Sequence, residues 1–177
     1  VHPMSMLSSA PLETPVADER IASDAVVMET RFGRFAFDPT QTIEFSRGLL
    51  GFPSHRNFGL TSIPDPRLQQ FMLLQCLTDA NLSFLVLPVR DSKGPIAPED
   101  IAAARDGLDI EPENLAVVLI VSIRRVGSDT QISVNLRAPV LMDASRRSGA
   151  QVVLPNGDYP VRHVLVSRPT AGATEVK

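Results

Sequence analysis

The chain has 177 residues, of which 44% are hydrophobic, and it carries a formal net charge of −3. This length suits one domain with flanking segments, and the hydrophobic content is too high for a disordered protein. The mild acidity argues against a general nucleic-acid binder, which needs a basic face to hold phosphates.

Both ends of the chain differ in composition from its middle. Residues 1–25 mix Pro, Ser, Ala, Asp and Glu with little periodicity, and residues 167–177 have the same character. Segments without a periodic apolar face are typical of flexible tails. The sequence therefore predicts one folded domain over residues 26–166, and we find no internal repeat within it.

Strand patterns dominate the predicted domain. Apolar and polar residues alternate over residues 34–38 and 42–46, with the period of two that a half-buried strand requires. Residues 82–89 and 115–123 are apolar on both faces. Such runs are typical of central strands that are covered on both sides.

The clearest strand pattern covers residues 131–143, which we expect to form one strand bent at Pro139. The face predicted to be buried carries Ile132, Val134, Leu136, Ala138, Val140 and Met142. Asn135 and Arg137 belong to the opposite face, with Gln131 and Ser133. We therefore expect Asn135 and Arg137 to point towards solvent or a partner.

Two turn signals predict hairpins late in the chain. Residues 126–129, Val-Gly-Ser-Asp, join the second apolar run to the alternating strand. Residues 155–158 contain Asn-Gly, a strong hairpin signal, and they are predicted to join residues 150–154 to residues 159–166.

One helix is predicted, and it begins at Pro98. Pro and acidic residues occupy its first turn, and Gly107 follows close to its end. Because the other elements are short strands separated by Pro and Gly, the predicted fold is mainly β. We expect a small antiparallel barrel-like single domain with one or two short helices.

Residues that could carry catalysis or hold a metal are sparse. The three histidines, His2, His55 and His163, lack the spacing of a zinc site, and no Gly-x-Ser-x-Gly elbow occurs. A hydrogen-bonded strand residue is the favoured interpretation of His163. The acidic residues 106–113 lack the glycine of a calcium loop and are predicted to be solvated. We therefore expect no enzyme activity, no metal and no cofactor.

The most unusual motif combines Gly and Pro with large apolar residues. It reads Gly48-Leu49-Leu50-Gly51-Phe52-Pro53. In one interpretation this loop folds into the core. In the other, Leu49, Leu50 or Phe52 is presented to a partner.

The sequence also bears on where the protein works. The longest uninterrupted apolar run, residues 115–121, is far below the roughly 20 residues of a membrane-spanning helix. The beginning of the chain lacks the pattern of a signal peptide. We therefore expect a cytoplasmic protein. Cys76, the one cysteine, allows no intramolecular disulfide, and its apolar neighbours predict that it is buried.

Several short stretches, in a fixed order over residues 30–163, resemble the flagellar assembly factor FliW family. The loop at residues 48–53 and the segment Asn-Leu-Arg-Ala-Pro at residues 135–139 are the most specific of them. The others are Thr30-Arg31-Phe32-Gly33, Ile43-Glu44-Phe45, Leu74-Gln75-Cys76, Leu82-Ser83-Phe84, Gln151-Val152-Val153-Leu154 and Tyr159-Pro160-Val161-Arg162-His163.

The resemblance implies a cytoplasmic, non-enzymatic regulator on a small β-barrel-like fold. Proteins of this family bind new flagellin in a chaperone-like way. They also bind the translational repressor CsrA and keep it off flagellin messenger RNA, and the two partners compete. The resemblance thus implies flagellin and CsrA as partners, with no direct contact to nucleic acid or membrane and a monomeric free state.

Combining the loop with the exposed face of the alternating strand gives a predicted partner-binding set. The set consists of Leu49, Gly51, Phe52, Pro53, Asn135 and Arg137. An alternative is a small split-barrel protein that binds a flavin-type cofactor, with Arg124-Arg125 or Arg146-Arg147 as phosphate anchors. A further alternative is a structural adaptor that binds neither flagellin nor CsrA.

Overall fold

The computed structural model of the protein describes residues 24–90 and 93–169. Most of the predicted N-terminal tail, and residues 170–177 of the predicted C-terminal tail, lie outside the described residues. The strands are β1 Val26–Thr30, β2 Gly33–Phe37, β3 Ile43–Glu44, β4 Asn57–Ser62, β5 Met72–Cys76, β6 Ser83–Pro88, β7 Leu115–Val126, β8 Asp129–Val134, β9 Val140–Asp143, β10 Ser148–Gln151 and β11 His163–Pro169.

Seven of these strands close into a barrel. Around the ring they run in the order β7-β6-β5-β4-β3-β10-β9, and β9 pairs again with β7. All pairings are antiparallel except that of β10 with β3, which joins Ser148 to Glu44 in parallel. The predicted mainly β, barrel-like fold is confirmed.

Alternation along the strands divides the core into an inner and an outer part. Within β5, Leu74 packs among the residues inside the barrel, whereas Leu73 packs against the elements outside it. β6 and β7 behave in the same way, because Val86 and Val118 face inward while their neighbours face outward. This arrangement explains why residues 82–89 and 115–123 are apolar on both faces, as predicted for covered strands.

Several small elements cover the outside of the barrel. The separate β1–β2 hairpin lays Phe35 and Phe37 on the outer core, where both are buried. Glycine at position 59 of β4 permits this packing, because a Cβ atom there would overlap the Phe37 ring. The β1–β2 hairpin therefore closes one side of the sheet against water.

The one α-helix among the described residues, α1, begins at Pro98 as predicted, with Glu99 and Asp100 in its first turn, and it ends at Gly107, which the sequence placed just beyond its end. The described part of the chain also contains three short 3₁₀ helices, at Pro39–Gln41, Pro66–Leu68 and Pro112–Asn114. No helix in the described part of the chain is long and apolar enough to cross a membrane.

The strand predicted over residues 131–143 is in fact two strands. β8 ends at Val134 and β9 begins at Val140. The interruption begins at Asn135, whose side-chain oxygen accepts a hydrogen bond from the Ala138 amide at 3.0 Å. This local bond supports a bulge over residues 135–139, so the chain leaves β8 earlier than Pro139 and rejoins the same edge of β7 at Val140.

Of the two predicted hairpins, the first is confirmed and the second is wrong. β7 and β8 pair through Val126 and Asp129, with Gly127 in the turn at φ 61°. Residues 155–158 do form a turn, in which the Asn156 side chain accepts from the Asp158 amide. They do not form a hairpin, because β10 pairs with β9 and β3 whereas β11 pairs with β8.

The boundary predicted at residue 166 falls inside β11. This strand continues to Pro169, and its last three residues pair with residues 129–131 of β8. Residues 167–169 therefore belong to the sheet rather than to the predicted tail.

Candidate functional site

The loop of residues 48–53 combines a buried base with an exposed tip. Leu49 is buried and bridges to Phe52, whose amide donates to the Leu49 carbonyl at 2.8 Å. Between them lie Leu50, which is 54% exposed, and Gly51, which is exposed and has φ 87°. A tight turn with positive φ at its third residue favours glycine. Leu49 therefore folds into the core, as in the first interpretation, whereas Leu50 is exposed, as the second interpretation requires.

Phe52 closes one end of the barrel interior while remaining partly exposed. Its ring meets Phe84 edge-on at a centroid distance of 5.5 Å and His55 at 6.2 Å. Phe84 continues to Phe58, which is fully buried. Such edge-to-face contacts fix the orientation of the ring. Pro53 follows it and is exposed.

The second predicted segment, residues 135–139, forms the bulge between β8 and β9, which pair with the same edge of β7. Asn135 is half-buried, its amide donates to the Ile120 carbonyl, and its side chain holds Ala138. Asn135 thus stabilises the bulge, and its side-chain oxygen is engaged within the chain. Its predicted contact with a partner remains a prediction.

Arg137 lies in the same segment and is half-buried. Its Nε is buried and has no hydrogen-bond partner within the described part of the chain. Its Nη1 lies beside the turn at Gly157, 3.6 Å from where a Cβ atom would stand. An arginine fork with unused donors is suited to a carboxylate or a carbonyl.

Gln151 joins the two segments, although it was not among the predicted site residues. Its side-chain oxygen accepts from the Leu50 amide at 3.0 Å, and its side-chain nitrogen donates to the Ala138 carbonyl at 3.1 Å. Loop 48–53 and segment 135–139 therefore form one continuous surface. The sequence offered one indication of this role, which is that Gln151 is a polar residue directly before the apolar residues Val152, Val153 and Leu154.

Cys76 and Arg146, which could carry other chemistry, are buried or paired within the chain. Cys76 is fully buried, as predicted. Arg146 forms ion pairs with Asp109 and Asp143, so this candidate phosphate anchor is engaged within the chain. No group of three or more metal-ligating side chains occurs within residues 24–90 and 93–169.

The groups with clearly shifted pKa values lie outside this surface. Hydrogen bonds from Arg67 lower the pKa of Asp65 to about 2, and a hydrogen bond to Asp100 raises the pKa of Tyr159. Asp65 stabilises its own turn, and Tyr159 ties its segment to the start of α1.

Comparisons with known proteins point to a single family. The family model described as FliW protein matches residues 26–165. A flagellar assembly factor FliW from Syntrophus aciditrophicus is 30% identical over 143 residues, covering 79% of this chain and 87% of that protein. One from Thermotoga maritima is 31% identical over 143 residues, covering 79% and 93% respectively. A crystal structure of the flagellar assembly factor FliW aligns with a TM-score of 0.60 at 23% identity, covering 78% of this chain and 95% of that chain.

Proposed function

The chain belongs to the FliW family of flagellar assembly factors, and we propose that it binds flagellin and the translational repressor CsrA. In this proposal it is a non-enzymatic cytoplasmic protein, monomeric when free. Flagellin and CsrA compete for it, so free flagellin releases CsrA, which then represses further flagellin synthesis. The protein thereby couples the supply of flagellin to its use in assembly.

The two hydrogen bonds of the Gln151 side chain are the observation that assigns the proposed binding to particular residues. They tie the exposed tip of loop 48–53 to segment 135–139. A partner surface of this kind combines an apolar contact, at Leu50 and Phe52, with an arginine fork at Arg137. Both kinds of contact are enriched in protein interfaces, which supports a role in binding.

The test measures binding of purified flagellin and of CsrA to variants in this surface by titration calorimetry. We expect Phe52→Ala and Arg137→Glu each to weaken binding about tenfold or more, because they remove an aromatic anchor and a charge. The control is Arg125→Glu, since Arg125 is exposed at the far end of β7. This variant should bind as the wild type does.

Thermal melts of the same variants separate loss of contact from loss of fold. Affinities equal to the wild type for both partners, in variants that melt normally, would remove Phe52 and Arg137 from the site. A wild-type protein that binds neither flagellin nor CsrA would contradict the proposed function itself.

A further inference from the structure

The barrel is closed most weakly between β3 and β10. These strands pair through Ser148 and Glu44 alone, and the Glu44 amide donates to the Arg147 carbonyl at 2.9 Å. After Glu44 the chain continues its register with β4, where the Phe45 amide bonds to the Arg56 carbonyl, and no further pair joins it to β10 among the described residues. Beyond Ser148, β10 therefore continues without a neighbouring strand on that side.

The hydrogen-bond pattern identifies which backbone groups this leaves unpaired. In an antiparallel pair, alternate residues bond to the partner strand and the residues between them point away. The amides of Val152 and Leu154 bond to the carbonyls of Pro139 and Arg137, continuing the register of β10 with β9. The amides of Gln151 and Val153 consequently point away from β9, towards the open side.

A cleft with a volume of about 590 Å³ occupies the open side. Ser46, Arg47 and Gly48 form one wall, Gly107 and Leu108 at the end of α1 form another, and residues 149–153 supply the strand edge. Val153, at the rim, is 53% exposed. The Gln151 side chain extends from this edge to Leu50, so the cleft is continuous with the candidate partner surface.

We propose that an extended segment of flagellin binds in this cleft and adds a strand to the free edge of β10 at residues 149–153. The proposal rests on the proposed function and specifies how that partner is held. Unpaired amides at every second residue match the backbone carbonyls of an extended peptide. Since such an edge otherwise leaves backbone groups to water, pairing with a peptide satisfies them.

The charge in the cleft defines the chemistry of the segment. Arg47 is the one charged residue among those that line it, and Arg47 is exposed. It forms no salt bridge within the described residues. The segment therefore carries an acidic side chain opposite Arg47.

Residue-resolved amide hydrogen exchange of the full chain, with and without purified monomeric flagellin, tests the pairing. On binding, exchange at Gln151 and Val153 should slow by more than about tenfold, because a bonded amide exchanges only when the pairing opens. Val152 and Leu154 are internal controls, since their amides are already bonded to the chain. Unchanged exchange at Gln151 and Val153 in the saturated complex would overturn the proposal.

Charge variants test the chemistry of the segment. Arg47→Glu should weaken flagellin binding about fivefold or more, and less so at high salt, as expected for an exposed ion pair. Arg47→Lys keeps the charge and should bind nearly as the wild type does. Equal affinities of Arg47→Glu and wild type at low salt, with normal melting, would exclude the acidic contact.

The hydrogen-exchange experiment also distinguishes other occupants of the cleft. Protection of Gln151 that is present in the free chain and grows with its concentration would mean that a second copy fills the cleft, which contradicts the proposal. Flagellin that binds with the losses expected for Phe52→Ala but without protection of Gln151 would leave the proposed function intact and refute the strand pairing. Absence of any flagellin binding would refute both.

Discussion

Gly48 and Gly51 lie in the same loop, but a methyl group added at each would meet different surroundings. Both have positive φ, 65° at Gly48 and 87° at Gly51. A Cβ atom on Gly48 would overlap the Phe52 carbonyl oxygen and lie 2.8 Å from the Pro53 Cα, whereas one on Gly51 would meet nothing within 4 Å. Gly48 is therefore required by both conformation and space, and Gly51 by conformation alone.

Alanine at these two positions separates the two requirements. Gly51→Ala should cost roughly 1–2 kcal/mol of unfolding free energy, the penalty for a side chain in the left-handed region. Gly48→Ala should cost clearly more, because the loop backbone must also move. Urea denaturation of both variants measures the difference. Equal losses would show that the loop relaxes freely and does not hold Phe52 in place.

At the scale of elements, the sequence predicted strands better than it predicted where they end. The alternation over residues 131–143 correctly indicates the buried side of Val134, Leu136 and Val140. It does not reveal that Asn135 bonds locally to Ala138 and interrupts the sheet, because both arrangements bury the same apolar residues. A side chain that competes for backbone hydrogen bonds was the only signal.

The error at residues 155–158 has a related cause. Asn-Gly is a sound turn signal, and a turn is present. A hairpin also requires the flanking segments to pair, and here each finds a partner far away in the sequence. Local residues set the turn, whereas tertiary pairing decides what it connects.

The segment after this turn holds helix α1 through one side chain. The Tyr159 hydroxyl donates to the Asp100 carboxylate at 2.6 Å and accepts from the Ala97 amide at 2.9 Å. The bond to Asp100 raises the pKa of Tyr159 above its usual value of 10.0. Ionisation of the hydroxyl removes the donated hydrogen and places two negative charges side by side.

We therefore expect stability to fall at alkaline pH through this group. The contribution is fully present below the unfolded-state pKa and is lost as the pH rises through the higher folded-state pKa. Since Tyr159 is the one tyrosine and the chain has no tryptophan, absorbance titration of tyrosinate reports on it alone. The native midpoint should exceed that of the urea-unfolded chain.

Asp100→Ala is the matched variant for this titration. It removes the acceptor, so the native pKa of Tyr159 should return towards the value of the unfolded chain. Tyr159→Phe should abolish the part of the alkaline stability loss that belongs to this group. A native pKa unchanged by Asp100→Ala would show that another interaction is responsible.

At the scale of the whole molecule, the pairing of strands that closes the barrel could not be predicted from the sequence. The composition, the short strands and the Pro and Gly between them indicated a barrel-like fold, which the structure confirms. The parallel closure of β10 on β3 joins Ser148 to Glu44, and no local pattern encodes a pairing over such a distance. The same closure allows Gln151 to bridge the two candidate segments, which explains why that residue was missed.

The extent of the folded unit gives the last prediction. β11 pairs with β8 from His163 to Pro169, and β1 begins at Val26. A chain of residues 26–169 should therefore melt like the full chain. A chain of residues 26–166 loses the pairing of residues 167–169 and should be less stable by about 1–3 kcal/mol, the net worth of a few backbone hydrogen bonds.

Calorimetric melting of the three chains distinguishes the contributions of the two ends, since a loss of this size lowers the melting temperature by several degrees. The comparison of 26–169 with 26–166 isolates the end of β11, because the two chains differ in nothing else. If the chain of residues 26–169 melts well below the full chain, residues 1–25 or 170–177 contribute to the fold. If 26–166 melts like 26–169, the last pairs of β11 carry no stability, and the domain ends at residue 166 as the sequence predicts.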